Sequence, residues 1–155
     1  MAADTTGQAV LPVVFDTSVI FAGLVSESGA SRQLLFSAHR AELQPISCDY
    51  IIEEITRNLS RKAPKAVPFF EQMLTVIDWQ MVDLPDDLVF DVARVIEGKD
   101  APVIAAAIVA SCATVVTFDR RHLLNAADDI AARFGVRVVE PGVVLREVAE
   151  NATRQ

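Results

Sequence analysis

The feature that most constrains the fold of this chain is an alternation of short apolar runs with segments of helical periodicity. Runs suited to short buried strands lie at 13–15, 43–46, 79–82, 114–118 and 136–139. Segments with polar starting residues and helical spacing separate most of these runs. Strands that alternate with helices form a parallel sheet covered on both faces. The sequence therefore predicts an α/β fold with a central, mainly parallel sheet.

Length and composition favour one domain. The chain has 155 residues, of which 52% are hydrophobic and 23% charged, so it can bury a sizeable core but is too short for two ordinary domains. We expect a flexible leader at 1–10, a single domain over 11–150 and a tail at 151–155. The leader lacks the basic residues that open a secretory signal. Cys48 and Cys112 alone do not make a disulfide scaffold, which favours a reducing, cytoplasmic compartment.

One uncharged stretch, at 101–118, reaches the lower length of a membrane-spanning helix. Pro102, Ser111 and Thr114 interrupt it, and a β-branched run ends it. These residues favour a buried helix followed by a buried strand, so no membrane association is expected.

Four acidic residues fall where a parallel sheet binds its ligands, in the crevice beyond the carboxyl ends of the strands. Asp16 directly follows the first predicted strand, and Asp119 directly follows the run at 114–118. Asp100 begins the helix before that run, and Glu54 lies on the helix after the second strand. Each aspartate also has a simpler explanation, because aspartate commonly caps helices and turns.

Helical spacing separates Glu54 from its neighbour Glu53. Ile51, Ile55 and Leu59 define the buried face of their helix. Glu53 then lies nearly opposite that face, in solvent, whereas Glu54 lies at its edge and can point into a crevice.

Four carboxylates in one crevice would repel one another unless a cation balanced them. Carboxylate ligands without cysteine or suitably spaced histidine favour Mg²⁺ or Mn²⁺ over zinc. Such a site is suited to metal-assisted hydrolysis of a phosphodiester. The net charge of −7 argues against broad attraction to nucleic acid. A bound metal ion, however, would supply positive charge locally.

These residues, in this order, resemble the PIN-domain nucleases. The resemblance rests on four motifs, which are Val-Val-Phe-Asp-Thr-Ser-Val-Ile at 13–20, Ile-Ile-Glu-Glu-Ile at 51–55, Lys-Asp at 99–100 and Val-Val-Thr-Phe-Asp at 115–119. It covers about 13–148 and is particularly similar to the toxin components of bacterial toxin–antitoxin pairs. It implies a three-layer α/β/α sandwich and an endoribonuclease that cleaves RNA.

The resemblance also implies a role for each acid. One or two Mg²⁺ or Mn²⁺ ions would be held by the quartet Asp16, Glu54, Asp100 and Asp119, with Asp16 and Asp100 as the primary ligands. Thr117 and Ser18 would hydrogen-bond to these ligands. Ser18 stands where the family usually has asparagine, and the stretch before Asp100 lacks further acids that relatives often have.

Two basic patches are candidates for RNA contact. Arg57, Arg61, Lys62 and Lys65 form one, and Arg120, Arg121 and His122 form the other, although both could equally be ordinary solvated surface. His39 and His122 are not assigned to catalysis. The resemblance further implies a homodimer and a cognate antitoxin partner, with the binding surface near the helices at 30–40 and 50–65.

Three other functions are compatible with part of the pattern. A haloacid dehalogenase-like phosphatase also places an aspartate after a short strand, but it needs a second aspartate where Ser18 stands. A phosphoacceptor module would need paired acids near the first strand and a lysine late in the chain. A PIN-fold protein that binds a partner, with little or no cleavage, is the non-enzymatic alternative.

Overall fold

The computed structural model describes residues 10–112 and 114–154. Within them, five strands form one parallel sheet in the order β3-β2-β1-β4-β5. The strands are β1 (Leu11–Phe15), β2 (Leu43–Ser47), β3 (Gln80–Met81), β4 (Thr114–Val116) and β5 (Arg137–Val139). The predicted α/β fold with a parallel sheet is therefore confirmed. Residues 1–9 of the expected leader lie outside the described residues.

Helices connect the strands and extend to the end of the described chain. They are α1 (Thr17–Val25), α2 (Ala30–His39), α3 (Asp49–Lys62), α4 (Val67–Val76), α5 (Asp86–Ala93), α6 (Ala101–Val109), α7 (Ala127–Phe134) and α8 (Pro141–Thr153). The sequence analysis missed α7, a short helix in which only Ile130 is fully buried. Ala127, Ile130 and Phe134 nevertheless stand at helical spacing and pack towards the core. Helix α8 runs to Thr153, so residues 151–153 continue it.

The helices cover both faces of the sheet. Helix α1 packs on α2 and α3, and α5 packs on α6. Because crossovers between parallel strands are right-handed, the strand order places α1 to α4 on one face and α5 to α7 on the other. Helix α8 packs against α2. The three-layer α/β/α sandwich is therefore confirmed. Strand β1 lies at the centre, and Val13, Val14 and Phe15 are fully buried.

The uncharged stretch folds as a buried helix, α6, followed by the buried strand β4, as predicted. No helix among the described residues is long and apolar enough to cross a membrane. Strand β4 ends at Val116, two residues earlier than expected. Thr117 still donates its backbone N–H to Val139 (3.0 Å), and the chain then leaves the sheet. Asp119 is therefore carried by a loop and does not directly follow the strand.

Candidate active site

The four predicted acids line one cleft of about 400 Å³. Because all strands are parallel, the chain leaves β1 towards Asp16 and β4 towards Asp119 at the same edge of the sheet. Helix α3 leaves β2 at that edge and carries Glu54 in its second turn. Helix α6 returns in the opposite direction to the strands, so Asp100 at its start reaches the edge as well. Four separate elements thus contribute to one cleft.

Two hydroxyl groups connect the ends of β1 and β4. Thr117 Oγ1 donates to Asp16 Oδ2 (2.6 Å) and accepts from the backbone N–H of Asp119 (2.9 Å). Ser18 Oγ donates to the same Asp16 oxygen (3.1 Å) and accepts from the N–H of Phe118 (3.2 Å). Each hydroxyl both donates and accepts, so Asp16 and the loop that carries Asp119 are fixed relative to each other.

Asp16 also caps α1. Its Oδ1 accepts from the backbone N–H of Thr17 (2.8 Å), so the capping explanation holds for one of its two oxygens. Only 7% of the residue is exposed. Burial raises the pKa of Asp16 above its ordinary value, although hydrogen bonds from Thr117 and Ser18 act in the opposite direction.

Asp100 stands at the start of α6, but its side chain makes no capping hydrogen bond. Its Oδ2 is buried and lacks a hydrogen-bond partner, one of three such side-chain atoms in the described residues. Burial, together with the negative charges of Asp119 and Asp16, raises the pKa of Asp100 to about 6. A buried carboxylate oxygen without a donor is costly, because the charge it carries remains uncompensated.

His122 joins this cleft, although the sequence analysis placed it only in a basic patch beside Asp119 and gave it no catalytic role. Its Nδ1 lies 3.5 Å from Asp119 Oδ2 and 3.7 Å from Asp100 Oδ2. One ligand-type atom from each of these three residues lies within 4.8 Å of the other two. The sequence signal that could have placed His122 here is the Asp-x-x-His spacing. In the turn that follows Asp119, the His122 N–H donates to Asp119 Oδ1 (3.0 Å), and the turn brings the ring back to the acid.

Glu54 is half-buried and lines the cleft, whereas Glu53 is exposed, as the helical spacing predicted. Tyr50, one turn before Glu54, donates its hydroxyl to the backbone oxygen of Lys99 (3.1 Å). Burial raises the pKa of Tyr50, and the charge of Glu54 raises it further. Helix α3 is thereby joined to the segment that leads into Asp100.

The four predicted RNA-contact arginines are placed differently. Arg121 lines the cleft. Arg120 is exposed and pairs with Glu140 (2.8 Å). Arg57 and Arg61 are exposed on α3 and are not among the residues that line the cleft.

The residues of this cleft fit a divalent metal ion. The donors are carboxylate oxygens and one imidazole, without a cysteine among the lining residues, a set that suits Mg²⁺ or Mn²⁺. The buried Asp100 Oδ2 lacks a hydrogen-bond donor, and a cation would compensate it. The expectation that no histidine is suitably placed was wrong, because the turn after Asp119 brings His122 to the acids.

The family is shown by direct comparison. The family model described as "PIN domain" matches residues 12–121, which is most of the chain. The chain therefore belongs to the PIN domain family, as its motifs predicted. A comparison with curated proteins found no match.

Solved structures share the fold at low sequence identity. PAE2754 from Pyrobaculum aerophilum has a TM-score of 0.59 and 19% identity, covering 92% of this chain and 99% of that one. VapBC2 from Rickettsia felis, solved with a DNA fragment from its promoter, has a TM-score of 0.60 and 11% identity, covering 84% and 98%. FitAcB from Neisseria gonorrhoeae has a TM-score of 0.53 and 17% identity, covering 83% and 97%. At these identities the likeness concerns the fold.

Proposed function

We propose that this chain is a Mg²⁺- or Mn²⁺-dependent endoribonuclease that hydrolyses RNA phosphodiester bonds. The observation that carries the proposal is the convergence of four acids from separate elements on one cleft, where a buried oxygen of Asp100 lacks a hydrogen-bond donor. Membership of the PIN domain family supports a nuclease over the phosphatase alternative.

The residues of the cleft would have different roles in holding the ion and orienting its ligands. Asp16 and Asp100 would be the primary ligands of the ion, and Glu54 and Asp119 would complete the acidic site. When bound, a divalent ion supplies positive charge against the phosphodiester and acidity for the attacking water. Thr117 and Ser18 orient Asp16, so that its carboxylate does not have to reorganise when the substrate arrives.

Contact with RNA would come from cations at the rim of the cleft. Arg121 and Lys99 line it and can reach a phosphate next to the cleaved bond. Arg57 and Arg61 on α3 would contact phosphates further along the strand. We expect Arg120 to contribute less than Arg121, because Glu140 already pairs with it.

The test compares two neighbouring glutamates and one aspartate. The full chain is incubated with single-stranded RNA and Mn²⁺ or Mg²⁺, and cleavage is followed by gel electrophoresis. Asp16→Asn and Glu54→Gln should lose most cleavage, whereas Glu53→Gln, which removes the same charge from an exposed position, should keep it.

Circular dichroism establishes that each variant is folded. Cleavage by Asp16→Asn at the wild-type rate would reject the mechanism. Metal binding without cleavage of any RNA by the wild-type chain would favour the alternative of a PIN-fold binding protein.

We further propose that the chain is the toxin of a toxin–antitoxin pair and forms a homodimer. The support is the fold shared with VapBC2 and FitAcB and the apolar surface near α2. Phe36 is 40% exposed beside a groove between α2 and α8, and Leu24, Val25 and Phe69 line a second groove. Light scattering of the purified chain should give twice the monomer mass, and a strict monomer at high concentration would contradict the dimer.

A further inference from the structure

His122 lines the cleft, although the sequence analysis gave it no catalytic or metal-binding role. Its backbone is held by the hydrogen bond from its N–H to Asp119 Oδ1 (3.0 Å). Its ring is largely buried, with 22% of the side chain exposed. Nδ1 faces one oxygen of Asp119 and the unpaired oxygen of Asp100, at 3.5 and 3.7 Å. Both distances are too long for hydrogen bonds.

These distances suit atoms that bind one ion. Ligand atoms about 2.1 Å from an octahedral ion lie roughly 3 Å apart when adjacent and roughly 4.2 Å apart when opposite. The two Nδ1 to oxygen distances fall between these limits, and the three atoms lie within 4.8 Å of one another. Asp100 Oδ2 has no competing hydrogen bond to give up.

The other ring nitrogen faces a further carboxylate. His122 Nε2 lies 4.0 Å from Glu97 Oε1, on a side chain that is 59% exposed. Metal binding through Nδ1 requires the ring proton on Nε2, and the exposed Glu97 side chain is placed to accept a hydrogen bond from that N–H after a small movement. Histidines that bind metals in proteins commonly have a carboxylate or carbonyl at the second nitrogen in this way.

We propose that His122 binds the divalent ion through Nδ1, beside Asp100 and Asp119, and that it makes the site prefer Mn²⁺ over Mg²⁺. The proposal deepens the proposed function, since it rests on the cleft binding a divalent ion. Mg²⁺ strongly prefers oxygen ligands and gives up water reluctantly, whereas Mn²⁺ accepts an imidazole more readily. An imidazole ligand therefore raises the affinity of the site for Mn²⁺ relative to Mg²⁺.

The experiment measures metal binding directly and does not depend on RNA cleavage. Mn²⁺ is added to the full chain, and pulsed electron paramagnetic resonance detects coupling to a directly bonded nitrogen nucleus. The wild-type chain should show that coupling, and His122→Gln should lose it while remaining folded. Calorimetry should show Mn²⁺ affinity falling by about tenfold or more in His122→Gln. Mg²⁺ affinity should change by less than about threefold.

The control is His39→Gln, which removes the exposed histidine at the end of α2 and should keep both the coupling and the affinities. Glu97→Gln should keep the nitrogen coupling and weaken Mn²⁺ binding less than His122→Gln does. Mn²⁺ binding without nitrogen coupling in the wild-type chain would overturn this proposal and leave the nuclease proposal intact. Absence of binding by both ions would overturn both.

Discussion

The two sides of the cleft differ in how their acids are held. On the β1 side, Asp16 accepts hydrogen bonds from two hydroxyls and one backbone N–H. On the α6 side, Asp100 begins a helix without capping it and leaves Oδ2 unpaired. The first acid is oriented by the protein itself, and the second is compensated only if a cation arrives. The β1 side is therefore held rigidly, whereas the α6 side offers an unpaired oxygen that a cation would compensate.

The largest effect is expected when the hydroxyl of Thr117 is removed by Thr117→Val. Thr117 is fully buried, and the change deprives both Asp16 Oδ2 and the Asp119 N–H of a partner. We expect the free energy of unfolding to fall by about 2–3 kcal/mol, measured by urea denaturation with a chelator present.

Thr117→Ser is the matched control, because it keeps the hydroxyl and removes only a methyl group. It should cost no more than about 1 kcal/mol. Equal losses in the two variants would mean that packing, and not the hydrogen bonds, holds the β1 side together.

On the α6 side, removing the charge of Asp100 should raise the free energy of unfolding at neutral pH instead of lowering it. The folded-state pKa of Asp100, about 6, lies above the ordinary value of 3.8, so the folded protein keeps this proton to a higher pH than the unfolded chain does. The resulting stabilisation is complete below about pH 4 and is lost as pH rises through about 6. Without metal, Asp100→Asn should therefore be more stable than the wild type at pH 7, by about 1–2 kcal/mol after allowance for solvent at the open cleft.

Chemical denaturation from pH 4 to pH 7 with a chelator measures this difference. Asp83→Asn, an exposed loop position with the same change in charge, serves as the control and should follow the wild type. If Asp100→Asn and the wild type lost stability in parallel over this range, Asp100 would not be the source of the pH dependence.

The smallest change in stability is expected at Ser18. Its hydrogen bonds are longer than that of Thr117 to Asp16, and the residue is only half-buried. Ser18→Ala should lower the free energy of unfolding by about 0.5–1 kcal/mol. The exposed Ser28→Ala should stay within about 0.5 kcal/mol of the wild type in the same urea titration. A loss as large as that of Thr117→Val would show that the two hydroxyls contribute equally.

Much of the site could be predicted because strand and helix patterns place residues in space. A run of buried residues ending in Asp16 fixes that acid at the edge of a parallel sheet, and the spacing of Ile51, Ile55 and Leu59 separates Glu54 from Glu53. His122 could not be placed in the same way, because it lies in a turn outside any regular element. Its position depends on a side-chain-to-backbone hydrogen bond that periodicity does not encode.

The sequence by itself predicted the fold class and the meeting of four acids at one edge of the sheet, because hydrophobic periodicity is a property of the chain. The family followed from the resemblance of its four motifs. Only the tertiary structure decided which acid is saturated with hydrogen bonds and which is left open. It also decided that β4 ends before Asp119 and that His122 closes over the acids. Those outcomes depend on distances of a few ångströms between residues far apart in the chain, such as Asp16 and Thr117.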